Sequence, residues 1–83
     1  MKPTQEEQQV LMILAKEWDY NGPPGIMDVS DIVAALGQAP SETLQAIKSL
    51  FETGLVDRNS LQTGAFLTPE GYGAAEKIRK NLI

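Results

Sequence analysis

Glycine and proline divide this chain of 83 residues into short segments. The Asn-Gly-Pro-Pro-Gly stretch at residues 21–25 cannot continue a helix, because proline lacks the amide donor and glycine favours positive φ. Gly37 and Gly54 are each predicted to end a helix, and Gly37 is suited to do so in the left-handed conformation. Segments this short depend on packing against one another, and the length suffices for one domain over residues 1–83.

The first helix is predicted to begin at Thr4. Thr4 and Glu7 have the spacing of a capping box, in which the threonine oxygen accepts the N3 amide and the glutamate reaches back. The helix is expected to end near Asp19. Apolar residues at three- and four-residue spacing mark its buried face. They are Val10, Leu11, Ile13, Leu14 and Trp18.

Two further helices are predicted in the middle of the chain, after a short strand over residues 26–29. The second helix is capped by Asp28 or Ser30 and stops at Gly37, and the third runs over about 40–53, since proline suits a first helical position. The predicted core residues of the second helix are Ile32, Val33, Ala35 and Leu36. Those of the third are Leu44, Ile47, Leu50 and Phe51.

A hairpin and a fourth helix are predicted in the last third of the chain. Strand character flanks the polar, glycine-containing residues 59–64, which predicts a hairpin over about 55–68. The fourth helix opens at Thr68-Pro69-Glu70, with Tyr72, Ala75, Ile78 and Leu82 on its apolar side. Gly71 and Gly73 lie inside it, where each costs about 0.5–1 kcal/mol relative to alanine. We interpret them as allowing close backbone approach to the hairpin.

The composition excludes most catalytic chemistry. The chain contains no cysteine and no histidine, which excludes disulfides, thiolate nucleophiles, histidine-based catalysis and zinc sites with Cys or His ligands. The acids are scattered, and the one Gly-Pro-Pro-Gly stretch lacks the amide donors of a phosphate cradle. We therefore predict no enzyme activity, no cofactor and no metal. The polar N-terminus and the lack of a long apolar run predict a cytoplasmic protein without membrane contact.

The order of the predicted elements resembles that of a winged helix-turn-helix domain of the kind found in small bacterial transcription regulators. The resemblance is carried by the second helix, glycine turn and Ser/Pro helix start at residues 29–41. It is also carried by the leucine-x-x-x-glycine-leucine-valine ending at 50–56 and by the exit from the wing at 66–71. It implies an α+β, mostly helical fold with a three-helix core, a short β-hairpin wing and a C-terminal helix.

The same resemblance implies double-stranded DNA as the partner, with the third helix in the major groove and the wing on the backbone or minor groove. Gln45 would then pair with an adenine edge, serines with bases or phosphates, and Arg58 with a phosphate. Carried over by position, the DNA-binding residues are Ser41, Glu42, Gln45, Ala46, Lys48 and Ser49 in the helix, and Arg58, Asn59, Ser60, Gln62 and Thr63 in the wing.

The charge balance departs from the pattern of this family. The net charge is −4, and the third helix and wing carry Lys48 and Arg58 against three acids. Family members commonly place cations near the positions of Gln45, Ala46 and Ser49. Because non-specific DNA affinity comes mostly from phosphate neutralisation, one copy is expected to bind weakly, and a homodimer would double the contacts.

Several other interpretations of the same residues stay open at this point. The polar residues of the third helix also fit a solvated helix face, Lys48 could pair with Glu52, and Arg58 could discourage strand pairing at a sheet edge. The alternative function is a winged-helix module that binds a protein partner rather than DNA. Its candidate contacts are the acidic surface and the region from Trp18 to Met27.

Overall fold

The computed structural model describes residues 3–59 and 63–81. Within these two ranges the chain forms four helices and a three-stranded antiparallel sheet. In chain order the elements are α1 (Gln5–Asn21), β1 (Met27–Asp28), α2 (Val29–Leu36), α3 (Pro40–Glu52), β2 (Val56–Arg58), β3 (Gly64–Leu67) and α4 (Pro69–Asn81). The predicted α+β, mostly helical class and the predicted order of elements are confirmed.

The predicted capping box at the start of α1 is confirmed. The Glu7 backbone N–H donates to Thr4 Oγ1 at 3.1 Å, and the Thr4 backbone N–H donates to Glu7 Oε1 at 2.7 Å. The helix ends at Asn21 rather than near Asp19, because the Gly22 N–H still donates to the Trp18 carbonyl at 2.8 Å. Gly22 has a φ of 84°, so the helix ends where the backbone first needs glycine.

The predicted chemistry is found at the end of α2 and at the start of α3, but not at the start of α2. Asp28 is the N-cap of α2, although its side chain makes no capping hydrogen bond, and Ser30 lies inside the helix. Gly37 adopts the left-handed conformation with φ 63°, and its N–H donates to the Val33 carbonyl at 3.3 Å. Pro40 occupies the first helical position of α3.

The sheet joins the predicted hairpin to the short strand that precedes α2. Its strand order is β1-β3-β2, so β3 lies in the centre and pairs antiparallel with both neighbours. Met27 faces Ala65 across one edge, and Asp57 faces Phe66 across the other. Val56 and Leu67 are buried, so one face of the sheet closes the helical core.

The buried core is formed by one face of each helix together with the sheet. The α3 face differs from the prediction, since Leu44 is 49% exposed and Phe51 43% exposed. The predicted and the observed buried residues of α3 both have helical spacing, but the observed ones include the smaller Thr43 and Ala46. Ala35 of α2 is exposed, which is also contrary to prediction. The core residues are Val10, Leu11, Leu14, Ala15, Ile32, Ala46, Ile47, Leu50, Val56, Ala65, Leu67 and Ala75.

Gly71 brings α4 against the backbone that leads into β2. A Cβ at Gly71 would lie 1.8 Å from the Leu55 carbonyl oxygen, whereas a Cβ at Gly73 would meet nothing within 4 Å. The predicted close approach is therefore confirmed for Gly71 and wrong for Gly73. Leu82, predicted on the apolar side of this helix, lies outside the described residues.

A polar cluster connects the end of α1 to α4. The Tyr72 hydroxyl donates to Asp19 Oδ1 at 2.6 Å, and Arg79 Nη1 donates to Asp19 Oδ2 at 2.7 Å and to Glu76 Oε1 at 2.8 Å. The rings of Trp18 and Tyr72 stack with their centroids 4.7 Å apart. Trp18 is thus packed within the domain.

Among the helices of the described ranges, none has the combination of length and apolar character needed to cross a membrane.

Candidate nucleic-acid interface

The exposed side of α3 carries a line of polar side chains. Ser41, Gln45 and Lys48 recur at four- and three-residue spacing, and all three are exposed. They lie opposite the buried stripe that holds α3 in the core, because positions spaced by three and four share one helix face. The ion pairs among the described residues involve Arg79 with Asp19 and Glu76, and none joins Lys48 to Glu52.

Ala46 does not belong to this exposed line, and its burial argues against the predicted contact with DNA. Only 5% of its surface is exposed, and it packs in the core cluster with Ile47 and Leu50. The physical reason is spacing: Ala46 is three residues after the buried Thr43 and four before the buried Leu50. It therefore lies on the inward face of α3.

One flank of the line faces the start of α1 and is acidic. Glu42 is exposed and Ser49 is half-buried on this side. Both line a groove of about 400 Å³, as do Ser41, Gln45 and Ala46 of α3, and Glu6 and Glu7 line it from α1. Carboxylates on both walls disfavour a phosphate in this groove.

The opposite flank joins α3 to the hairpin through a stacked cation. The Arg58 guanidinium carbon lies 4.6 Å from the centroid of the Phe51 ring, a cation–π geometry. Arg58 Nε is buried and has no hydrogen-bond partner within the described part of the chain. The Arg58 backbone N–H donates to Asp57 Oδ1 at 2.8 Å. The ring thus holds the wing cation next to the end of α3.

The hairpin loop is closed by Asn59. Its Oδ1 accepts the backbone N–H groups of Thr63 at 3.0 Å and Gly64 at 3.2 Å, and its Nδ2 donates to Thr63 Oγ1 at 3.3 Å. The Asn59 and Thr63 side chains, both predicted to contact DNA, therefore bond to the loop itself. Asparagine commonly bonds nearby backbone in turns, a signal that could have predicted this role. Ser60 and Gln62, also assigned to DNA, lie outside the described residues.

The remaining surface features do not form a metal centre. Among residues 3–59 and 63–81, no group of three or more acidic, histidine or cysteine side chains could hold a metal ion. A second groove of about 780 Å³ runs between α1, α2 and α4 and is lined by Met12, Ile13, Leu36 and Ile78, with polar residues of α1 at its edge. It lies apart from α3 and the hairpin, whose residues do not line it.

The sequence matches no protein-family model and no curated protein.

The fold matches several solved structures. NadR in complex with 4-hydroxyphenylacetate matches with a TM-score of 0.78 and 23% identity, over 95% of this chain and 55% of that one. The adhesin competence repressor AdcR of Streptococcus pyogenes matches with a TM-score of 0.74 and 19% identity, over 98% and 58%. BpsR of Bordetella bronchiseptica, described with a mechanism by which 6-hydroxynicotinic acid regulates its DNA binding, matches with a TM-score of 0.67 and 19% identity, over 94% and 58%.

These matches establish the fold. The chain has the architecture of winged-helix regulators, with a helical core and a small antiparallel sheet. It spans little more than half the length of these solved structures.

Proposed function

We propose that this chain is the DNA-binding module of a cytoplasmic transcription regulator and has no enzymatic role. It inserts α3 into the major groove and sets the wing, defined as β2, β3 and the residues between them, on the phosphate backbone. The observation that carries the proposal is the exposed polar line of α3 beside a wing cation, Arg58, that is held there by Phe51. The described DNA binding of BpsR, which shares the fold, supports it.

The exposed residues of α3 and the wing have distinct proposed roles. Gln45 can bond to both N6 and N7 of adenine in the major groove, and Ser41 can bond to a base edge. Lys48 and Arg58 neutralise phosphates. Phosphate contacts fix the position of the domain on the duplex, and Gln45 supplies sequence information.

The charge balance favours binding by two copies. Lys48 and Arg58 are accompanied by Glu42, Glu52 and Asp57 on α3 and the wing, so one copy neutralises few phosphates. A second copy on the same duplex doubles these contacts. Dimers of helix-turn-helix domains bind half-sites about 34–36 Å apart, one helical turn, and a second copy would occupy the neighbouring turn.

A salt titration with charge-matched variants tests the proposal. The double variant Lys48→Gln/Arg58→Gln removes two cations from the interface, and Lys16→Gln/Lys77→Gln removes two exposed cations from α1 and α4. Binding of a labelled mixed-sequence duplex is measured by fluorescence anisotropy at several salt concentrations. We expect the interface variant to lower the slope of log K against log salt by about 0.9 for each phosphate that is no longer neutralised, and the control to retain the wild-type slope.

Equal slopes for the two variants would place DNA on another surface. An NMR titration of the wild-type protein with the same duplex gives an independent readout. Shifts confined to residues 41–49 and 58–64 at low salt, weaker at physiological salt, are the expected result. No shifts at low salt would overturn the proposal, because non-specific binding of a DNA-binding domain is strongest there.

A protein-binding module is the second candidate function. It is favoured by Tyr20, which is 86% exposed, and by Ile26 nearby, which is also exposed. Aromatic residues are favoured in protein interfaces. Trp18, part of the same predicted region, is stacked on Tyr72 instead. Two results together would favour this function over DNA binding. The residues of α3 would show no shifts in the NMR titration with DNA, and a protein partner captured by the wild type would not be captured by Tyr20→Ser.

A further inference from the structure

The first half of α3 places a polar side chain in the core and an apolar one in solvent. Thr43 is fully buried, and its hydroxyl has no hydrogen-bond partner within the described ranges, whereas the adjacent Leu44 is about half exposed. Burying the leucine would remove apolar surface from water, and exposing the threonine would let its hydroxyl bond to water, so both changes would lower the free energy of the two side chains. The transfer free energies of these two side chains therefore do not explain this order, and such departures are expected at functional positions.

Leu44 is surrounded by hydrogen-bonding side chains. Ser41 precedes it by three residues, Gln45 follows it directly, and Lys48 lies one turn later on the same side of α3. Lys48 also lies between Leu44 and the other exposed apolar residue of the helix, Phe51, which Arg58 partly covers. The centre of a protein–protein interface is depleted of charge and enriched in apolar anchors. The arrangement on α3 instead suits a partner that presents small apolar groups among hydrogen-bonding groups.

The major-groove edge of an A·T base pair has this character. Adenine offers the N7 acceptor and the N6 donor, and thymine offers the O4 acceptor beside its C5-methyl group. The N-terminal residues of a recognition helix are those that contact base edges. Leu44 and Gln45 are the fifth and sixth residues of α3, which begins at Pro40.

We propose that Leu44 is a specificity-determining residue that contacts a thymine C5-methyl group while Gln45 bonds to an adenine. The chain then prefers A·T base pairs beneath the first half of α3. This inference rests on the proposed function and adds the class of sequence that is read.

Replacing thymine by deoxyuridine removes the C5-methyl group and leaves every hydrogen-bonding group of the base pair in place. The test compares two duplexes of equal length, one alternating dA-dT and one alternating dA-dU, by fluorescence anisotropy at low salt. Burial of one such group contributes about 0.8 kcal/mol, which corresponds to about a fourfold difference in affinity. We expect wild-type protein to prefer the dA-dT duplex by about this factor.

Leu44→Ser tests the residue itself. Because Leu44 is exposed, the substitution is expected to leave the fold intact, which a thermal unfolding curve verifies. The variant should bind the two duplexes equally. Lys48→Gln is the matched control, since removal of a phosphate-binding cation weakens both complexes and keeps the ratio between them.

Each of the other outcomes overturns a different statement. Equal binding of both duplexes by wild-type protein would overturn the thymine contact and leave DNA binding intact. An unchanged preference in Leu44→Ser would overturn the assignment to Leu44. Failure to bind either duplex at low salt would overturn the proposed function.

Discussion

Gly71 and Leu55 are in direct backbone contact, since a Cβ at Gly71 would come within 1.8 Å of the Leu55 carbonyl oxygen. The same oxygen accepts the Thr68 N–H at 3.2 Å. The Thr68 hydroxyl donates to the Gly54 carbonyl at 2.7 Å and accepts the Gly71 N–H at 3.0 Å. The start of α4 is therefore fixed against the base of the wing by a contact that leaves no room for a side chain.

Gly71→Ala is expected to destabilise the domain strongly, because the added Cβ would meet a backbone carbonyl that cannot rotate away. Overpacking of this kind costs about 1–3 kcal/mol. Gly73→Ala is the matched control in the same helix, and we expect it to stabilise by about 0.5–1 kcal/mol, since nothing lies near its Cβ and alanine favours the helix. Urea denaturation measures both. Similar effects of the two variants would contradict the contact.

Thr43→Val is expected to stabilise the domain. Valine has nearly the same shape as threonine and removes a buried hydroxyl without a partner in the described residues, a group whose burial costs about 1–3 kcal/mol. Thr68→Val provides the comparison, because the Thr68 hydroxyl makes two hydrogen bonds and its removal should destabilise. The free energies of unfolding of the two variants should therefore change with opposite signs. A destabilised Thr43→Val would contradict this account.

The cluster at the end of α1 predicts an acid-sensitive contribution to stability. The hydrogen bonds from Tyr72 and then from Arg79 hold the pKa of Asp19 below its ordinary value of 3.8. A lowered pKa stabilises the folded state above pH 3.8 and loses that contribution as the pH falls through the folded value. An NMR titration of the Asp19 carboxyl carbon should show its midpoint below 3.8.

Tyr72→Phe tests which hydrogen bond lowers the pKa of Asp19. The variant keeps an aromatic ring to stack on Trp18 and removes the hydroxyl that donates to the carboxylate. We expect the pKa of Asp19 to rise toward its ordinary value while Arg79 still lowers it. An unchanged midpoint would show that the hydroxyl does not bond to Asp19 in solution.

Phe51→Ala is expected to weaken DNA binding without a direct contact between Phe51 and DNA. The ring lies under the Arg58 guanidinium, and an exposed cation–π contact contributes about 0.5–1 kcal/mol. Without this support, affinity should fall by about two- to fivefold and the salt dependence of binding should decrease. Phe51→Tyr keeps the ring and should bind as the wild type does. Equal weakening in both variants would indicate that the side chain itself touches the duplex.

Local signals in the sequence predicted the elements and most of their ends. Two of these signals are the capping box of Thr4 and Glu7 and the left-handed Gly37. Each depends only on residues that are neighbours in the sequence, so the sequence alone is sufficient to predict it. Asn21 shows the limit of such signals. The proline and glycine residues exclude a helix beyond them, but they do not fix which preceding residue is its last.

The buried face of α3 could not be predicted from spacing alone. The predicted and the buried faces share Ile47 and Leu50. They differ in that the prediction added Leu44 and Phe51, favoured by their apolar character, whereas the structure buries Thr43 and Ala46 at equivalent spacing. The choice depends on the elements that pack against α3, and the periodicity of α3 carries no information about them. The same choice of face buries Ala46. The contact of Arg58 with Phe51 joins a strand to a helix, and sequence spacing does not reveal it.

The central position of β3 has a consequence for the energetics of recognition. Within the wing β3 pairs with β2, on its other side it pairs with β1, and the Val29 N–H at the start of α2 donates to the Thr63 carbonyl at 2.9 Å. The hairpin is therefore held to β1 and to the start of α2, and in the proposed function it meets DNA as a preorganised element. Rigidity of this kind lowers the conformational entropy cost of association, so a domain with few cations can direct more of its contact energy into affinity.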